Sequence, residues 1–406
     1  MKYVIGIGFM CRDITAGIYR EDGAWVGESK ERIEPILNED GEEEYDPEDW
    51  AEACFRAVRS VHEQYGIPAE DIACISISCH NSELVLLGED GKPVCPSRSG
   101  RDVAYPEEDA FLRDLEYLRQ WTGNGLIHEN LAAKLLWMRK REPEKLAKAK
   151  TLLYPKDFLA YRLTGVLATD VTIASYTQLF HVAERKWSLP MLGFLGLSPS
   201  LLPEVRESRD VIGALTKEAC EKTGLTEKTL VNAGMTNKAC IELGSLAVEN
   251  GDDMVTLNVF GDVIVHSEKP YSGSDGCIFT CCSGIPGSYM LIADNRLTVA
   301  PATHGRLPDD LPEAERLALG EMTRKRVERL HSEARVPYGN LYFRTGGDPE
   351  LWIGMMAKLT GRRAHVIERN NGAIAGCAVS ACVSAGLYAS EREAAQAMIR
   401  PKAVFE

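Results

Sequence analysis

Residues 228–267 read "KTLVNAGMTNKACIELGSLAVENGDDMVTLNVFGDVIVHS". Leu230 to Asn232 is short, branched and apolar, as a brief strand would be. Asn237 to Leu246 has the composition and spacing of a helix. Val255 to Leu257 and Asp262 to His266 are strand-like and flank the tight "NVFG" connection. Working outward, the same pattern opens the chain. In "KYVIGIGFMCRDITAGIYREDG", residues 2–23, Tyr3 to Ile7 and Ile14 to Tyr19 are strands around a short connection. A strand, turn and strand in each half predicts a duplicated α/β core with a cleft between two lobes. The echo is one of pattern, not of residue identity.

Hairpins of this kind often cradle a phosphate. A cradle needs small residues, because backbone N–H groups must approach the anion closely. The first connection instead carries Met10, Cys11, Arg12 and Asp13.

The segments between the hairpins read as a scaffold. "DPEDWAEACFRAVRSVHEQYG" is a helix with Asp46 as cap, Pro47 in the first turn and Gly66 at its end. Ile72 to Ser78 is a buried strand, and Leu84 to Leu87 with "GEDGK" and Val94 suggests a hairpin. "NLAAKLLWMRKREPEKL" has the spacing of one amphipathic helix. "DFLAYRLTG" is a helix stopped by Gly165. "NLYFRTGGDPELWIGMMAKLTG" is strand, glycine turn and helix, and "AIAGCAVSACVSAG" is a small-residue helix suited to close packing. The lobes are expected to touch, since no long linker or low-complexity tract intervenes.

With 406 residues, two domains are the default. The net charge of −14 argues against nucleic acid and anionic membrane as partners. No apolar run is long enough to span a bilayer, and no signal-peptide pattern opens the chain, so a cytoplasmic location is expected. The twelve cysteines are scattered, and read as reduced and mostly buried.

In order along nearly the whole chain, "EYDPEDWAEA", "LVLLGEDGKPV", "AAKLLWMRKREPE", "YPKDFLAYRLTGVLATD", "LLPEV", "VIGALTKEA", "LGSLAVENGDDMV" and "GLYASEREAAQAMIRP" resemble the scaffold of the FGGY carbohydrate kinases, in particular their xylulokinase-like branch. The resemblance implies an α/β, two-lobed, actin-like sugar-kinase ATPase fold, ribonuclease H-like in each lobe, with mixed sheets flanked by helices. Residues 1–245 would form the N-terminal-like lobe and residues 246–406 a shortened C-terminal-like lobe.

The resemblance also places the family's chemistry, and shows it altered. The Asp that helps hold magnesium-bound phosphates falls on Gly8, and the Gly-Thr-Ser turn on Met10, Cys11, Arg12 and Asp13. The sugar-contacting Gly-Gln-Met-His-Gly reads Cys79, His80, Asn81, Ser82 and Glu83. Trp-Asn-Asp reads Gly100, Arg101 and Asp102. The general base, an Asp followed by Asn, falls on Asn237 and Lys238. The second phosphate turn reads Asn258, Val259, Phe260 and Gly261, and the adenosine-side glycines read Gly346, Gly347 and Asp348. A family segment near the nucleotide is expected to be missing between about Gly305 and Glu321.

An amide at Asn237 accepts no proton at neutral pH, and losing a general base alone costs about a hundred- to ten-thousand-fold. Phosphoryl transfer otherwise rests on positioning and charge stabilisation. Gly8 removes a carboxylate, Val259 and Phe260 add bulk, and Asp13 and Asp348 add negative charge. One compensating residue cannot repair losses of such different kinds.

The expectation is therefore a non-catalytic kinase homologue without cofactor, binding a sugar-like small molecule through His80, Asn81, Ser82, Asp102 and Lys238, or a partner protein. A homodimer or a pairing with an active kinase homologue would suit such a role. Two alternatives stand beside it. One is an active kinase using ATP and Mg to phosphorylate a pentulose or hexulose. The other is new thiol or metal chemistry built on Cys11, Cys79 and His80. Glu83 and Lys238 either pair across the cleft or are solvated. Cys277, Cys281 and Cys282 read as a buried strand rather than a redox or metal group.

Overall fold

A computed structural model describes residues 1–99, 105–127, 130–257, 262–273, 277–294, 310–345, 349–367 and 372–405. Two seven-stranded mixed sheets organise it. In the first, Tyr3–Met10 pairs antiparallel with Asp13–Arg20, which pairs antiparallel with Trp25–Arg32. On its other edge Tyr3–Met10 runs parallel to Ile72–Cys79, which runs parallel to Leu230–Asn232. Val211–Ala214 closes that edge, and Met235–Thr236 adds to the end of Ile72–Cys79.

The second sheet repeats this plan. Asp253–Leu257 is antiparallel to Asp262–Ser267, which is antiparallel to Tyr289–Asp294. Asp253–Leu257 is also parallel to Leu341–Thr345, which is parallel to Ala364–Ile367. Ile278–Cys282 and Pro401–Phe405 take the two edges. This doubled three-antiparallel, two-parallel order is the actin-like arrangement expected from the sequence.

Local chemistry explains the elements. Tyr3–Met10 is central and covered on both faces, so its buried positions run nearly unbroken rather than alternating. The Pro47–Gln64 helix starts where the Asp46 carboxylate accepts the Glu48 N–H at 2.9 Å, with Pro47 in the first turn. Its Trp50 is fully buried, with Phe9 edge-on at 4.9 Å. Gly165 stops the Pro155–Thr164 helix at φ +76°.

Two sequence expectations change. The run at 130–146 is two helices, Leu131–Arg141 and Pro143–Lys148. Pro143 has no N–H to continue the ladder and its ring crowds the preceding turn. The Leu84–Val94 hairpin closes only through the Val94 N–H to Leu86 carbonyl and Gly88 N–H to Lys92 carbonyl bonds, both 2.8 Å. The main partner of Val85–Leu87 is Thr151–Leu153.

The small-residue helix Gly372–Ser384 packs on the first sheet and crosses Asn237–Gly244 closely. A Cβ at Gly376 would lie 1.8 Å from the Cys240 carbonyl oxygen, and one at Gly244 would lie 2.1 Å from that of Gly372. The Cys240 and Cys377 sulfurs are 3.4 Å apart at this crossing, both buried.

Candidate functional site

The parallel register brings three strand ends together. Gly8 lies beside Ser78, and Met235 and Thr236 lie beside Ser78 and Cys79. Met10, His80 and Asn237 therefore converge. The Thr236 hydroxyl accepts the Ala239 N–H and caps the helix that carries Asn237 at its first position.

Met10 fills this junction. Its thioether sulfur is 2.8 Å from His80 Nε2 and 3.9 Å from Asn237 Nδ2. Asn237 Oδ1 is buried and has no hydrogen-bond partner among the described residues. The turn residues are tied to protein partners. The Cys11 thiol donates to Glu83 Oε1 at 2.7 Å, Arg12 pairs with Glu43, and Asp13 pairs with Lys30 at 3.1 Å. Glu83 and Lys238 do not form an ion pair across the cleft, one of the two possibilities above. Glu83 is buried against Cys11, whereas Lys238 pairs with Asp262 at 3.3 Å and sits 5.8 Å from the Tyr176 ring centroid. Asp262 begins a strand of the second sheet, so Lys238 links the helix start to that sheet.

His80, Asn81 and Ser82 follow the strand end half-buried, and the Ser82 carbonyl accepts from Lys134 Nζ at 3.1 Å. Asp102, Asn258, Phe260, Gly261, Gly346 and Gly347, with Gly100, Arg101, Val259 and Asp348, lie outside the described residues, as do residues 305–309 of the stretch from Gly305 to Glu321.

Cys79 ends its strand fully buried, and burial pushes its thiol well above the ordinary range, which leaves it a poor nucleophile. Cys281 and Cys282 are buried on Ile278–Cys282, where burial raises both thiols, Cys282 to about 11, while Cys277 is exposed.

Lys134 is not among the expected site residues, and Met10 is expected only as a residue of the first turn. Lys134 carried a signal, being a lone charge inside the apolar run "LAAKLL". For Met10 the place in the turn is legible but its partners are not, because only the register sets its sulfur against residues 70 and 227 positions away.

Burial pushes the Lys134 ammonium down to about 8, against the pull of the Glu83 carboxylate. Between pH 8 and 10.5 the unfolded chain holds this proton more tightly than the folded chain, so stability rises with pH across that window. Measured against Lys134→Met, wild-type unfolding free energy is expected to rise by about 3 kcal/mol over that range. Urea unfolding of both proteins at several pH values checks this. A pH-independent difference would mean an ordinary ammonium.

The sequence pattern of the FGGY carbohydrate kinase N-terminal domain matches residues 3–244. The chain belongs to the FGGY family of carbohydrate kinases. Among its FGGY relatives, the xylulose kinase of Bacillus subtilis (strain 168) is 29% identical over 66% of this chain and 54% of its own length. That of Escherichia coli (strain K12) is 27% identical over 71% of this chain and 59% of its own. The chain thus spans about half the length of the FGGY relatives it matches. In three dimensions it resembles the xylulose kinase of Rhodospirillum rubrum, with TM-score 0.84 and 20% identity, over 100% of this chain and 94% of that one. It also resembles the Plasmodium falciparum glycerol kinase solved with ADP, with TM-score 0.84 and 16% identity, over the same shares. These two likenesses speak for the fold. Among the described residues, no helix is long and apolar enough to cross a membrane.

Proposed function

We propose that this chain is a non-catalytic FGGY homologue, a cytoplasmic pseudokinase whose cleft binds a sugar-like small molecule or a partner protein. The observation that carries the reading is the pairing of the Asn237 amide with the Met10 thioether where the family resemblance places base and phosphate turn. Neither group takes a proton from a sugar hydroxyl, and the thioether occupies space that a phosphate would need. The described residues also do not fit a magnesium-bound phosphate. Position 8 is glycine, and the carboxylate of Asp13 is paired with Lys30. Hard cations need oxygen ligands, which sulfur does not replace. The names of the relatives, xylulose and glycerol kinases, support a ketose or polyol as the small molecule. We take residues 1–245 and 246–406 as the two lobes that bound the cleft.

Calorimetry with MgATP at millimolar concentration is expected to show no binding. The stronger test restores both carboxylates. A Cβ at Gly8 meets only the Ile374 side chain, at 3.4 Å, so the backbone leaves room for the first atom of a side chain there. Gly8→Asp with Asn237→Asp is expected to recover no sugar-dependent ADP release over a panel of ketoses and polyols. Base catalysis contributes only once phosphate and hydroxyl are held in line, and Met10 still fills the junction. Micromolar MgATP binding by the wild type, or turnover by the double variant, would favour the reading as an active kinase of pentuloses or hexuloses.

A further inference from the structure

A cavity of about 450 Å³ opens at the other end of the first hairpin. Tyr19 and Arg20 lie at the opposite end of their strand from Asp13, about 23 Å away at the usual rise per residue. The cavity is therefore separate from the junction around Met10. Its walls come from both sheets. Tyr19 and Trp25 belong to the first, Ile367 ends a strand of the second, and Ala375 and Met398 come from the helices between. The turn at residues 21–24 is fixed against the last helix. Gly23, at φ +86°, lies so close to Met398 that a Cβ there would come 2.4 Å from its Cα.

The polar groups are unevenly committed. Arg20 Nε donates to Asp22 Oδ1 at 2.7 Å, so that pair is internally balanced. Arg400, on the rim and exposed, has no ion-pair partner among the described residues. Tyr19 is only 5% exposed and lines the cavity, and its hydroxyl makes no hydrogen bond among the described residues. Trp25 meets Tyr19 edge-on at 4.9 Å and adds a second aromatic wall.

We infer that this cavity binds a small aromatic anion. Its ring would lie among Trp25, Ile367 and Met398, its acid group would meet the Arg400 guanidinium, and the Tyr19 hydroxyl would donate to it. Planar guanidinium suits a carboxylate or sulfonate, and Trp25, Ile367 and Met398 offer an aromatic ring apolar contact that a bare inorganic anion would not use.

The test is fluorescence titration of the full chain with 8-anilinonaphthalene-1-sulfonate, and with the neutral N-phenyl-1-naphthylamine as its uncharged counterpart. One saturable sulfonate site is expected, with energy transfer from tryptophan that falls in Trp25→Phe. Arg400→Glu is expected to weaken binding by about tenfold or more, because a charge-assisted contact becomes a repulsion. Arg400→Lys should weaken binding less than Arg400→Glu, since it keeps the charge but loses the planar fork. Arg400 is exposed, so these variants should melt as the wild type does. No sulfonate binding, equal binding of the neutral compound, or an affinity unchanged by Arg400→Glu would each overturn the assignment.

Discussion

Lys156→Ala is expected to lose about 3–5 kcal/mol of unfolding free energy, because it strands buried carboxylates without their cation. Lys156 is fully buried at the start of the Pro155–Thr164 helix. Its ammonium lies 2.5 Å from Asp157 Oδ1 and 3.0 Å from Asp170 Oδ1, and donates to the Ala233 carbonyl at 2.9 Å. Burial alone would lower its pKa, but the Asp157 and Asp170 carboxylates hold it above the ordinary lysine value, so it stays charged. Both carboxylates are tied elsewhere too. Thr169 donates to Asp157, and Ser208 donates to Asp170, each at 2.8 Å. Those bonds fix the carboxylates in place, so they cannot turn to water when the lysine is removed. Urea unfolding at pH 7 measures the loss. Adding Asp157→Asn to Lys156→Ala should recover at least about 1 kcal/mol, because one unpaired charge is then gone. The deficit should also narrow as pH falls, since the stranded carboxylates take up protons in the folded state. A loss below about 1 kcal/mol would show that water replaces the ammonium.

Gly376→Val should be at least as damaging. The first added atom would overlap the Cys240 carbonyl oxygen at 1.8 Å and its carbon at 2.5 Å. These are backbone atoms of a helix, so no rotamer change relieves the overlap. The Asn237–Gly244 and Gly372–Ser384 helices would have to separate, opening the buried Cys240, Cys377 and Leu243 contacts. A loss above about 4 kcal/mol, or failure to fold, is expected. Gly386→Val provides the control in the same segment. Gly386, unlike Gly376, has positive φ, at +72°, and a Cβ there meets nothing within 4 Å. Its cost should be confined to local backbone strain of about 1–2 kcal/mol. Equal losses at the two positions would mean that the helix crossing yields easily.

Much of the fold was legible in the sequence because it rests on local rules. Leu230–Asn232 was read to the residue, and the Asp46 cap, Pro47 and Gly165 marked helix ends through their own backbone chemistry. The "NLAAKLLWMRKREPEKL" run was read as one helix because apolar spacing continues through Pro143, whereas the backbone cannot. The Leu84–Val94 hairpin is legible because its turn is local, whereas the longer pairing of Val85–Leu87 with Thr151–Leu153 is not, since that strand lies far along the chain.

The candidate site divides along the same line. By itself the sequence determined which groups stand at the hairpin turns and the helix start: Gly8 without a carboxylate, Asn237 as an amide, Cys11, Arg12 and Asp13 in place of small residues. Only the tertiary structure decided what those groups meet. It set the Met10 sulfur against His80 and Asn237, gave Cys11 to Glu83 and Lys238 to Asp262, and buried Lys134. The reason is physical. Residue type fixes what a side chain can donate, accept or fill, whereas its partner is fixed by strand register and helix crossing, which join residues far apart along the chain.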